Sequence, residues 1–140
     1  MFAKFLAVAT LALAASAASI PEKRSAKIAG THNGDGAAAG TYYATGLGAC
    51  GITNVDTDHI AAASHVLFDS FPGYKGGNPN ANPICGRKAT AKYNGKQVTV
   101  TITDRCEACK EWDLDFSPSA FSKLADQSVG RLHGVTWHFD

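Results

Sequence analysis

Residues 88 to 104 read KATAKYNGKQVTVTITD, and this stretch limits the fold more than any other. Asn94-Gly95 is a preferred pair for the centre of a type I′ turn, because both central positions need positive φ. Beyond it Val98, Val100 and Ile102 alternate with Thr99, Thr101 and Thr103. A period of two gives a strand one apolar and one polar face. The segment is therefore expected to be an antiparallel hairpin, half-buried against a core.

Other segments repeat the pattern in shorter form. GTYYATG, residues 40 to 46, is β-branched and aromatic between glycines and reads as a strand. HIAAASHVLFDSF, 59 to 71, combines a short apolar strand with a helical turn, and FPGYKGGNPNANP, 71 to 83, is loop. Asp113 to Phe116 alternate as a short strand. Ser117 then offers a helix cap and Pro118 suits a first helical turn. Val135, Trp137 and Phe139 share one face of a last strand. Many short strands with one or two short helices predict a mainly β fold, a small barrel.

The N-terminus sets the compartment. MFAKFLAVATLALAASAAS carries one charge, Lys4, ahead of an apolar run too short to span a bilayer. It reads as a secretory signal peptide over residues 1 to 18. Residues 19 to 39 are polar and rich in Gly and Ala, with a dibasic pair, Lys23-Arg24, suited to processing. The segment from 25 to 39 has little to bury and is expected to be mobile. The folded unit is expected over residues 40 to 140, one small domain. Beyond Arg24 ten basic side chains face eleven acidic ones, without a basic stripe. Nucleic acid and anionic membranes are poor partners for such a surface.

Four cysteines, Cys50, Cys85, Cys106 and Cys109, in a small secreted domain imply disulfides. The favoured pairing is Cys50–Cys85 with Cys106–Cys109; the sequence alone leaves two other connectivities open. A zinc site needs four ligands, usually from two close pairs, and CEAC is the one such pair here. No metal is expected, and no thioredoxin-like pattern surrounds the CxxC.

With these pieces placed, residues 40 to 140 resemble the double-psi β-barrel family. That family includes expansin first domains, barwin, RlpA-like proteins and family-45 glycoside hydrolases. The small secreted fungal members are the nearest in character. The matching stretches are GTYYATGLGACG, NPICGRKATAKYNGKQVTVTITDRCEAC, DLDFSPSAF and GVTW. The resemblance implies a six-stranded barrel with crossing psi loops and a shallow groove that holds polysaccharide in several relatives. It also implies roles. Asp115 matches the general acid of the family-45 hydrolases and the retained Asp of expansins. Their general base falls here at Ala44 or Thr45, and no carboxylate occurs between Asp35 and Asp56. Inverting hydrolysis needs both carboxyl groups. The RlpA-like transglycosylase His matches Ser64, with His65 one residue later, which in a strand is the opposite face.

The candidate ligand-binding residues are Asp115, with Asp58 and Asp104 as acidic neighbours and Tyr43 and Trp112 as stacking surfaces. Each has a plainer role open to it: Asp58 as a turn cap, Asp104 as an ion pair with Arg105, Asp115 as a brace of the psi loop, His65 as a solvent-facing histidine. Tyr43 and Trp112 have a plainer role as core aromatics. The expected function is a secreted, non-hydrolytic protein that binds cell-wall polysaccharide, monomeric and without cofactor; no flavin fingerprint is present. Expansins proper carry a second, carbohydrate-binding domain, for which this chain has no room. A protein-binding effector or protease inhibitor of barwin-like type, and a lytic or hydrolytic enzyme using Asp115 as acid, are the competing readings.

Overall fold

The computed structural model describes residues 31–32 and 38–140. The leader and processing readings lie outside the described residues. Among those described, seven strands are present: β1 (Thr31–His32), β2 (Ala38–Tyr42), β3 (Ile60–Ser64), β4 (Lys88–Tyr93), β5 (Lys96–Cys106), β6 (Leu114–Phe116) and β7 (Leu132–Phe139). Two short helices, α1 (His65–Asp69) and α2 (Pro118–Ser122), follow β3 and β6. The sheet order is β1-β7-β2-β6-β3-β5-β4, and a β7–β4 pairing closes it into a ring of six strands with β1 added beside β7. Two pairs are parallel, β2 with β6 and β3 with β5, while β3 and β6 run antiparallel between them.

The hairpin forms where its sequence places it. Tyr93 pairs with Lys96, and Asn94 and Gly95 take φ of 46° and 77°. Val98, Val100 and Ile102 point into the core with Leu114, Phe116, Leu132, Val135 and Trp137. Phe68 and Phe121, from the two helices, close it. Ser117 caps α2 by accepting from the Ala120 amide, and its hydroxyl donates to the Asp58 carbonyl, tying the helix start to the loop before β3.

The alternation of β5 does not continue to its end. Ala61 pairs with Ile102 but Ala62 pairs with Asp104, so Thr103 is an extra residue, a β-bulge. Thr103 is buried instead of facing outward. The bulge reverses the parity of the residues after it: unbroken alternation would have sent Asp104 to the core face with Val98, Val100 and Ile102. A second difference is at the start of the domain. Ala38 and Ala39, in a stretch expected to have little to bury, are buried in β2, which begins two residues ahead of position 40.

Both favoured disulfides are present. Cys50–Cys85 bridges 35 positions and Cys106–Cys109 three. The first ties the β2–β3 connection to the loop before β4. In the loop-entropy account it restricts the unfolded chain far more than the second. We expect Cys50→Ser with Cys85→Ser to lower the unfolding free energy by about 3–4 kcal/mol in urea titration. Cys106→Ser with Cys109→Ser is expected to cost clearly less. Equal losses would contradict this assignment.

Candidate functional site

The strand registers place a row of residues across the outer face of the barrel. Asp104 on β5 lies opposite Ala62 on β3, Ala62 opposite Asp115 on β6, and Asp115 opposite Thr41 on β2. Leu114 and Phe116 go into the core, so Asp115 between them faces out. Ala61 and Ala63 go in, and Ala62 faces out. The two aspartates thus flank one methyl group, their backbones about 10 Å apart at the usual strand spacing. One residue ahead of β7, where Leu132 pairs with Gly40, Arg131 extends the row beside Thr41.

Along the row Thr41, Asp104 and Asp115 are half-buried, Ala62 is buried and Arg131 is exposed. Two surface hollows lie elsewhere and share no residue with the row, one around Lys92 to Gln97 and one around Ser122 to Gln127. Thr41 donates its hydroxyl to Asp115 Oδ1 at 2.8 Å. Burial is the main force on this carboxyl and raises its pKa, with the Asp104 charge adding to the rise. The Thr41 hydrogen bond and the Arg131 charge oppose it. Tyr43, just past β2, lies in the same field. Burial first, then Asp104 and Asp115, push its phenol well above the ordinary value. It remains a neutral donor beside two acids.

Asp104 has a structural duty as well. Its Oδ1 accepts from the Ala49 and Arg105 amides, both at 2.8 Å, which fixes the β2–β3 connection against β5. The expected Asp104–Arg105 ion pair does not form. The Arg105 guanidinium reaches Asp69 at 2.6 Å and Glu107 instead, because after the bulge Arg105 points toward α1.

The remaining candidates fall outside the row. Asp58 caps a turn: its Oδ2 accepts from Asn54 Nδ2 and the Val55 amide. Trp112 precedes β6 at the end away from Asp115. There its ring packs on Trp137, and its carbonyl accepts the Trp137 indole N–H at 2.8 Å. Asp113 shares the face of Asp115 but is buried, accepting from the Ala39 and Lys110 amides. Ser64, at the transglycosylase His position, is buried, donates to the Glu111 carbonyl and caps α1 through the Leu67 amide. His65 opens α1, half-buried, its Nδ1 without a hydrogen-bond partner. Beside the missing base position stands a carboxylate from later in the chain. Asp56 Oδ1 accepts from both the amide and the hydroxyl of Thr45 at 2.8 Å, and these bonds hold its pKa down. No group of three or more potential metal ligands occurs among the described residues.

Thr41, Ala62 and Arg131 fall in the same row and are not among the residues singled out from the sequence. The signal for Thr41 was available, since it alternates with the core-facing positions of β2. Arg131 was not legible, because its place depends on the β2–β7 register.

Comparison with known proteins agrees with this architecture. The model of a double-psi β-barrel family described as lytic transglycolase matches residues 36–136. A papain inhibitor from Streptomyces mobaraensis is 36% identical over 101 residues, covering 71% of this chain and 67% of that protein. A homologue of the allergen Asp f 7 from Arthroderma benhamiae is 36% identical over 115 residues. This chain covers 37% of that homologue's length and 35% of Asp f 7 from Aspergillus fumigatus, about a third of each. Among solved structures, the Streptomyces papain inhibitor superposes with a TM-score of 0.65 at 32% identity, covering 74% of this chain and 91% of the inhibitor. A mutant expansin from Clavibacter michiganensis, solved with cellohexaose, superposes at 0.57 and 24% identity over 79% of this chain and half of the expansin. The expansin likeness concerns the fold.

The raised pKa of Asp115 has a stability consequence. The folded state binds the proton more tightly than the unfolded chain. Asp115 therefore opposes folding progressively as pH rises from the ordinary carboxylate value through the raised one, and the loss is complete above it. Asp115→Asn, which keeps an acceptor for Thr41, is expected to raise Tm at pH 7. The gain should vanish in thermal melts below the ordinary carboxylate range. A gain that persists there would show that ionisation is not its source.

Proposed function

The chain belongs to the lytic transglycolase family of double-psi β-barrels, and on that footing we propose that it is a secreted protein that holds cell-wall polysaccharide without cleaving it. The observation that carries this reading is the row Asp104–Ala62–Asp115–Thr41 with Tyr43 beside it. Sugar hydroxyls need acceptors and donors set at intervals on a shallow surface, and the row provides carboxylates, a hydroxyl and a phenol. The small side chain of Ala62 leaves room beside Asp115, while the hairpin backbone at Gly48 and Ala49 lies against Asp104.

The non-cleaving part rests on what the acids are already doing. One oxygen of Asp104 accepts from two backbone amides, and Asp56 Oδ1 accepts from the amide and the hydroxyl of Thr45. Ser64 replaces the transglycosylase His and is buried in hydrogen bonds. Among the described residues, Asp115 is left as an acid with no equally free base opposite it. Two disulfides support an oxidising, extracellular setting, in keeping with the leader sequence.

A second reading, binding and inhibition of a papain-type cysteine protease, is favoured by one observation. The papain inhibitor matches at 36% identity over 67% of its length, and its structure superposes over 91%.

The first reading is tested by sedimenting the protein with insoluble cellulose, chitin and peptidoglycan while assaying the supernatant for released sugar. Binding to at least one polymer is expected, weakened about tenfold in Asp115→Asn, the scale of one lost charge-assisted hydrogen bond. No soluble fragments should appear. Fragments that disappear in Asp115→Asn would make the protein an enzyme.

A further inference from the structure

Five large apolar side chains are exposed among the described residues, and three of them, Leu47, Ile52 and Val55, fall within nine positions of one another. They sit on the β2–β3 connection, which folds into a small hairpin. Leu47 bridges Thr53, the Gly48 amide donates to the Ile52 carbonyl, and the Asn54 amide donates to the Gly46 carbonyl. Alternation along the two arms sets its faces. Gly48 and Ile52 are on one side, and Leu47, Thr53 and Val55 on the other. The Gly48 side lies against the barrel: a Cβ there would stand 2.4 Å from the Thr103 carbonyl oxygen. The opposite side is therefore the outer one, and Leu47 is 75% and Val55 60% exposed.

This hairpin is held at every corner. Its turn is fixed by the Cys50–Cys85 disulfide, by the Cys50 amide on the Thr103 carbonyl and by the Ala49 amide on Asp104. Its open end is fixed by Asp56 on Thr45 and by Asp58 on Asn54 and Val55. Residues 44 to 55, ATGLGACGITNV, include no charged side chain. A rigid, uncharged and apolar platform on a chain otherwise well supplied with charge has the composition of a protein-interface core, where charged residues are depleted. Its rigidity removes the ordering cost that weakens flexible binding loops. Sugar rings, by contrast, are met by flat aromatic faces, and this platform has none.

We propose that the outer face of this hairpin, centred on Leu47 and Val55 with Thr53 between them, is the surface that docks against a papain-type cysteine protease. This rests on the second reading above and adds where contact is made. It also separates two faculties in one small domain: the polar row for glycan, the apolar hairpin for protein.

The test titrates papain with the full secreted chain, wild type, Leu47→Asp, Val55→Asp and Asp115→Asn, with thermal melts and size-exclusion light scattering on each. Both hairpin residues are exposed, so the melts should match wild type. The expected result is inhibition by wild type, weakened at least tenfold by either hairpin variant and unchanged in Asp115→Asn. Absence of inhibition by wild type would overturn both the second reading and this proposal. Inhibition unaffected by Leu47→Asp and Val55→Asp would overturn the proposal alone, leaving inhibition to another surface. A dimer dissolved by Leu47→Asp, without change in inhibition, would assign the platform to self-association and likewise overturn it.

Discussion

The site depends on one irregularity of the backbone, the bulge at Thr103. Up to Ile102 strand β5 obeys a simple in-and-out alternation, and continuing it would drive Asp104 toward the apolar core. A buried, unpaired carboxylate there would be prohibitively unfavourable. Adding one residue to β5 relative to β3 turns Asp104 outward beside Ala62. The same turn frees the Thr103 carbonyl to receive the Cys50 amide. Asp104, the β2–β3 hairpin and the row of polar groups are thus set by a single step in register.

Strand β3 is the second requirement. Its five residues, Ile60 to Ser64, are all buried, and three of them are alanine. It runs between β5 and β6 and forms one parallel and one antiparallel ladder. Alanine lets both neighbours carry large inward side chains, Ile102, Leu114 and Phe116, while Ala62 on the outside leaves room for two aspartates to approach. A longer residue at 62 would fill the strip. Gly40 has the matching role on the core side of β2, where a Cβ would stand 3.0 Å from the Phe116 ring and 3.1 Å from Val135.

Much of the fold was legible because it was local. The Asn94-Gly95 turn, the Val98–Ile102 alternation and the Ser117-Pro118 helix start are short-range patterns, and each occurs where the residues place it. The Cys50–Cys85 bridge was the favoured one of three pairings once an oxidising compartment was expected. The illegible part depends on register between distant strands. The bulge has no residue signature, so the parity of Asp104 was beyond reach, and so was the place of Arg131. The Asp104–Arg105 pair failed for a local reason instead: adjacent residues in a strand point to opposite sides, and Arg105 meets Asp69. Trp112 and Asp58 had the right chemistry but sit on other contacts, the Trp137 ring and the 54–58 turn. The exposed hairpin was present in the sequence as an uncharged stretch, and only its pairing showed that Leu47 and Val55 face outward.

If glycan is held on the outward row across β5, β3, β6 and β2, the contact must be visible residue by residue. Backbone amide shifts of the isotopically labelled protein, followed by NMR during titration with cello- and chito-oligosaccharides, provide that view. Saturable shifts are predicted, confined to Thr41, Tyr43, Ala62, Asp104, Asp115 and their immediate neighbours. Saturable shifts centred instead on Leu47 to Val55 or on the Lys92–Gln97 turn, with the row silent, would contradict a glycan site there.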